Sequence, residues 1–387
     1  MKPSASLSTL VAYPFRIFFL SLAIWALAVV ALWVPIISGQ LQWPLAWPAL
    51  VWHQHELLFG VLNAAIAGFL LTAVCVWTNT ERLHGGALLA LWLVWLAGRL
   101  LATFGQGVPE VIVVGVNLVF LPLVMLDAGW RIRAARQHRH LIVLAVLGLI
   151  WAMQAGFLLV SPLRFAEAAL LATSLLMMVI GGRITPAFSR NWLQRQGRDA
   201  AAVRTIPALE RLVIVTLLLV VLAVLTGWPA QLVALLAVLA AITGGVRLLL
   251  WRGWLVRAEP LLWILHLSLW WIPVALLLLA GARLGWWPAS AWLHAAGVGA
   301  MGGLILGVIA RVSLGHTGRA LVLPGGMAMA FILLHAGAVI RVLTAFTVLP
   351  WKAGVVISGL CWVIAFALFV WRYTAILASP RVDGKPG

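Results

Sequence analysis

The sequence predicts an all-α protein, a polytopic transmembrane bundle of about twelve helices with both termini in the cytoplasm. Three observations predict it. Of 387 residues, 64% are hydrophobic and only 9% are charged, where soluble domains carry about 25% charged residues. Mean hydropathy is +1.11. Apolar runs of roughly 20 residues recur along the whole chain, each long enough at about 1.5 Å per residue to cross about 30 Å of hydrocarbon. In lipid, every backbone N–H and C=O must find its partner within its own segment, so these runs are helices.

The spans fall at about 15–38, 56–78, 86–104, 108–130, 140–160, 163–184, 208–227, 230–251, 260–281, 290–313, 322–346 and 352–377. The first is too long for the core of a signal peptide, and its flank "YPFRIFF" has no spacer before a cleavage site. The second opens on "WHQHELLFG", an expensive set of polar groups at the mouth of an apolar run. The third carries Arg99 in "LAGRLLATF", and Asp127 closes the fourth near the cytoplasmic face. The sixth leads into the longest loop, a cytoplasmic segment at about 185–207, and Glu210 follows at the start of the seventh. The ninth holds His266 in "LLWILHLSLWW" and the tenth opens with His294 in "SAWLHAAGVGAMGG". The eleventh contains His335 and Arg341 in "FILLHAGAVIR". The chain, 1–387, reads as a single integral membrane domain with no appended soluble domain and no Walker-type phosphate loop, which argues against ATP as its energy source.

Net charge is +17, with 26 lysines and arginines. With the N-terminus inside, five of these (Arg99, Arg164, Arg283, Arg341 and Lys352) fall on the outer side, and the other 21, Lys2 and Lys385 among them, on or near the inner side. That is the positive-inside pattern. The basic charge is topology and implies no nucleic-acid partner; lipid is the surrounding partner. Cys75 and Cys361 sit in different spans without a Cys-x-x-Cys spacing, which argues against a cysteine metal cage. Tryptophans cluster at span ends, as in "GWWPASAW", and read as interfacial anchors. Met177, Met178, Met301, Met327 and Met329 read as packing residues, though thioethers can bind Cu(I).

Orientation gives the nine histidines a depth. His53, His55 and His294 form an outer group with Glu56, where imidazoles from two helix mouths and a carboxylate suit copper, iron or zinc. A His-x-His at a helix start is free of helical geometry, so both rings could turn inward. The plainer alternative is that they cap orphan N–H groups at the helix start. His266 and His335 form a deeper pair that could ligate a metal or bond to neighbouring helices. His294 and His316 are 22 residues apart, about 33 Å along one helix, so one ion cannot take both. His84, His138 and His140 sit among arginines and read as solvated. Arg99 and Arg341 either snorkel outward or pair with an anion, such as a haem propionate or Glu56.

An internal echo links the second and third spans to the tenth and eleventh. Trp52 and His55 match Trp292 and His294, and Arg99 to Phe104 matches Arg341 to Phe346. "VIGGRI" at 179–184 likewise echoes "VIARVS" at 308–313. These echoes permit a chain built as three arcs of four helices.

Five motifs, "YPFRIFF" (13–19), "WHQHELLFG" (52–60), "AGFLLTAV" (67–74), "GGRITPAFSRN" (181–191) and "RVSLGHTGR" (311–319), together resemble the NnrS family over nearly the whole chain. The resemblance implies a multi-pass protein of the bacterial inner membrane, associated with haem b and copper and with denitrification and tolerance of nitric oxide. The family's WHxHE pattern falls on Trp52, His53, His55 and Glu56. Its ninth-span histidine falls on His266, its tenth-span histidine on His294, and its GHTGR on Gly315 to Arg319, which includes His316. His335 matches none of these motifs. The resemblance does not divide the histidines between haem and copper. On this reading His53, His55, His294 and His335 are metal ligands, and His266 is an axial haem ligand. Arg99, Arg341, Arg319 and His316 stand near the cofactor, while Glu56 orients a ligand or passes a proton. Nitric oxide would be bound or reduced, the latter needing an electron donor. The alternative from another class is a transporter or metal-handling protein without turnover.

Overall fold

The computed structural model describes residues 7–384; Lys2 and Lys385 lie outside the described residues. Among the described residues there is no strand, and twelve helices are long and apolar enough to cross a membrane. They are α1 Pro14–Ile37, α2 Ala49–Thr78, α3 Gly85–Phe104, α4 Glu110–Ala134, α5 His138–Leu159, α6 Pro162–Arg195, α7 Pro207–Thr226, α8 Ala230–Leu250, α9 Pro260–Arg283, α10 Ala289–His316, α11 Met327–Ala345 and α12 Trp351–Ala378. The chain is therefore a multi-pass membrane protein, and each predicted span coincides with one helix.

Three helices depart from the prediction at their ends, for physical reasons. α2 starts at Ala49 rather than 56, directly after Pro48, whose fixed φ and missing N–H suit a helix start. The polar groups of "WHQHE" therefore lie inside the helix. α6 continues to Arg195, through residues assigned to the loop; hydropathy registers where hydrocarbon ends, not where the helix does. α11 starts at Met327 rather than 322, because Pro324, Gly325 and Gly326 interrupt the apolar run.

The helices group into two compact units. One comprises Met1–Ala166, Ile309–Met327 and Trp362–Gly387, and the other Glu167–Val308 and Ala328–Cys361. In the first, α1 packs on α2 through Gly68, where a Cβ would stand 2.6 Å from the Phe19 ring. In the second, α10 packs on α9 through Gly307, where a Cβ would stand 2.9 Å from Ile264. Small residues at such crossings let helices approach closely in a medium with no hydrophobic drive between them.

Trp130, Trp286 and Trp371 are largely exposed, as interfacial anchors should be, but Trp52, Trp251 and Trp292 are fully buried. Several indoles act instead as internal donors. Trp52 Nε1 donates to Thr103 Oγ1 at 3.0 Å, and Trp362 Nε1 donates to the Ala26 carbonyl at 2.9 Å, which ties α12 to α1. Trp362→Phe keeps most of the ring and loses that hydrogen bond, so thermal unfolding in detergent should show a loss of about 1 kcal/mol.

Candidate functional site

Helical geometry separates the two histidines of "WHQHE". Residues two apart on a helix point about 200° apart, so His53 and His55 do not converge on one ion. His53 stacks on Trp33 at 4.2 Å between ring centroids, while His55 is fully buried among Trp47, Phe59 and Phe157. The expectation that both rings turn inward together is corrected here, because the helix begins before them. From Glu56 to Val61 the helix is π-helical, a widening that recurs at functional sites. Trp95 Nε1 donates to the Gly60 carbonyl in that turn at 2.9 Å.

Around His55 and Glu56 the first unit builds a buried polar network from five helices. Glu56 accepts from His55 Nδ1 at 2.9 Å and from Trp25 Nε1 of α1 at 2.7 Å, and lies 3.2 Å from Arg99 Nη1 of α3. Arg99 Nη2 donates to Asn117 Oδ1 of α4, and Asn117 Nδ2 donates to the Val113 carbonyl at 2.8 Å. Gln154 of α5 donates to the Asn117 carbonyl at 3.1 Å, accepts from Asn63 at 3.2 Å, and turns its amide N–H to His55 Nε2 at 3.4 Å. Arg99 therefore does not snorkel; it is 3% exposed and paired with Glu56. Asn63, Arg99 and Asn117 also line a cavity of about 10 Å³, room for roughly one water.

The partners assign the imidazole tautomers, since an amide N–H or an indole N–H can only donate. His55 faces a carboxylate at Nδ1 and an amide donor at Nε2, so Nδ1 carries the proton and Nε2 the lone pair. A carboxylate holding one ring nitrogen is the arrangement that orients histidine ligands of metals.

The second unit holds three histidines in different states. His294 Nδ1 donates to the Ser290 carbonyl at 2.7 Å, leaving the lone pair on Nε2. His266 Nε2 lies 3.0 Å from Ser189 Oγ, and that hydroxyl donates to the Thr185 carbonyl at 2.9 Å. His266 Nε2 must then be the donor. Its Nδ1 lone pair is buried and, among the described residues, has no hydrogen-bond partner; it lies beside Gly253, where a Cβ would stand 2.7 Å away. His335 differs: Trp271 Nε1 donates to its Nδ1 at 3.0 Å, so the proton sits on a buried Nε2. His335 presents an N–H and not a lone pair, which suits a donor to a ligand atom better than the metal-ligand role expected from its depth. Arg341 lies on α11, half-buried.

His316 and Arg319 stand elsewhere in the first unit. The His316 ring lies 5.5 Å from Phe15, and its carbonyl accepts from Arg381 at 2.8 Å. Arg319 and Arg381 both lie close enough to Arg16 to act on its charge, and Arg381 pairs with Asp383. Burial pulls the Arg319 guanidinium below the usual arginine range. Such a group of cations suits an anionic partner.

Among the described residues, no three His, Cys, Asp or Glu side chains gather into a metal cage. His55, His266 and His294 each fit a metal as neutral ligands with an oriented lone pair. Sequence reasoning missed Trp25, Asn63, Asn117, Gln154, Ser189 and Trp271. The available signal was a lone Asn or Gln in an apolar span, which needs a buried partner. Residues 9–381 match a family described as NnrS protein. No curated protein matches the chain.

Proposed function

The chain belongs to the NnrS family, and on that premise we propose that it is a haem- and copper-binding protein of the bacterial inner membrane that binds nitric oxide and serves its removal. The observation that carries this reading is the buried Glu56–His55 pair, in which the carboxylate holds Nδ1 and leaves a lone pair on Nε2. His55, His294 and His266 are the residues that would hold the metals, haem b at His266 and copper at His55 in the first unit and, separately, at His294 in the second. Haem iron or copper, when bound, supplies an open coordination position and one-electron redox chemistry.

The chain's own groups do the rest. Glu56 fixes the His55 tautomer, and Arg99 and Trp25 hold the Glu56 carboxylate in place. The surrounding rings of Trp47, Phe59 and Phe157 exclude water from His55. His335 offers its Nε2 proton as a hydrogen bond. Nitric oxide is small, apolar and soluble in the bilayer, so a site among the spans is reached without a channel. Reduction of nitric oxide would further require an electron donor, whereas sensing would not.

Absorption spectra of anaerobic, detergent-purified protein, oxidised and reduced, with and without nitric oxide, test this alongside metal analysis of the same sample. A haem spectrum that nitric oxide perturbs, with copper present, is expected. His266→Ala should remove most of the haem, and His55→Ala or His294→Ala most of the copper, with membrane insertion unchanged. Full metal content in all three variants would sink the assignment. A folded, colourless, metal-free protein would favour the transport reading.

A further inference from the structure

Two trios of helices in this chain share one plan. α2 and α10 each turn π-helical at the residue after a histidine, over Glu56–Val61 after His55 and Ala295–Gly302 after His294. α3 and α11 each carry an arginine at their fifteenth residue, Arg99 counted from Gly85 and Arg341 from Met327. A five-residue connection ending on proline follows each, 105–109 and 346–350, before α4 or α12 begins. At the eighth residue of those helices stand Asn117 and Ser358. Helix order, the π-turn, the arginine and the connection all correspond, which deepens the echo seen in the sequence.

The charges do not correspond. In the first trio, Glu56 and Asn117 both engage Arg99. In the second, Ala295 stands where Glu56 does and Ser358 where Asn117 does. Among the described residues, Arg341 makes no hydrogen bond or ion pair. It is the charged side chain that acts on the His294 ring, within the same unit. An arginine in an apolar span is costly unless something neutralises it, and the first trio shows what the plan uses for that purpose: a carboxylate.

We propose that Arg341, beside His294, forms a second ligand site for an anionic oxygen group of carboxylate size, which takes the place that Glu56 holds in the first trio. The guanidinium fork presents two parallel N–H donors, a match for two oxygens on one planar group. That chemistry has two sources, a free planar oxyanion such as nitrite or a propionate of bound haem. The haem source rests on the function proposed above; the free anion does not.

Two variants of the full-length protein test it. Arg341→Gln removes the charge and keeps most of the volume. Ala295→Glu supplies the carboxylate that the second trio lacks, and so competes with the ligand while keeping Arg341. Unfolding temperature is measured in sodium nitrite against sodium chloride at equal ionic strength, with haem content determined on the same samples. For a free oxyanion, nitrite raises the wild-type unfolding temperature in a concentration-dependent way, and both variants abolish the rise. For a propionate, nitrite has no effect, and both variants retain less than half of the wild-type haem. A protein indifferent to nitrite, with equal haem in all three forms, overturns the proposal and leaves Arg341 to lipid headgroups. Absence of all metal together with a nitrite response would sink the metalloprotein reading and not this site.

Discussion

Glu56→Ala is expected to destabilise the protein by about 3–5 kcal/mol, the usual cost of leaving one partner of a buried ion pair alone. Glu56 is fully buried and Arg99 nearly so, and the two are 3.2 Å apart. The carboxylate also accepts from Trp25 and His55, so its removal strands a guanidinium, an indole N–H and an imidazole N–H together. Arg99→Ala should cost a similar amount by stranding the carboxylate. In the double variant neither charge remains, so its loss should fall well short of the sum, and that shortfall measures the coupling. Equilibrium or thermal unfolding of the four proteins in one detergent decides the matter. Strict additivity would mean that the pair does not act as one unit. Glu56→Gln separates charge from shape, because the amide oxygen can still accept from Trp25 while Arg99 loses its counter-ion.

Gly60→Ala, a change of one methyl group, should cost about 3 kcal/mol by overpacking and by parting the same ion pair. Gly60 lies in the π-turn directly beneath the pair. A Cβ there would overlap Arg99 Nη1 and stand 2.9 Å from Glu56 Oε2. Both neighbours are held by other partners, Arg99 by Asn117 and Glu56 by Trp25, so neither can yield cheaply. Gly115→Ala in α4 is the control. Nothing lies within 4 Å of its added Cβ, and alanine favours a helix over glycine by about 1 kcal/mol. The control should therefore be neutral or slightly stabilising, and equal effects at both positions would refute the role given to Gly60.

The NnrS resemblance and the helix count were legible in the sequence, and residues 9–381 and twelve helices bear them out. Arg99 shows where legibility ended. From the sequence, snorkelling was the favoured reading and pairing with Glu56 the alternative, because 43 residues separate the two and no pattern within one helix relates them. His53 and His55 show the same limit at short range, since the run reads identically whether the helix starts before or after them. The tautomer of His335 was not legible either, because it depends on Trp271, which is 64 residues away.

By itself the sequence determined that this chain lies in a membrane and crosses it about twelve times. Hydrocarbon imposes that choice residue by residue, through the transfer cost of each side chain and the need of each backbone group for a partner in its own helix. Tertiary structure alone decided which polar groups meet. In an apolar medium a buried Glu, Asn or Gln is stable only beside a matching group, and that group stands on another helix. Trp25, Glu56, Arg99, Asn117 and Gln154 come from five helices, so their network exists only once those helices pack, and with it the proton on His55 Nδ1 and the lone pair on Nε2.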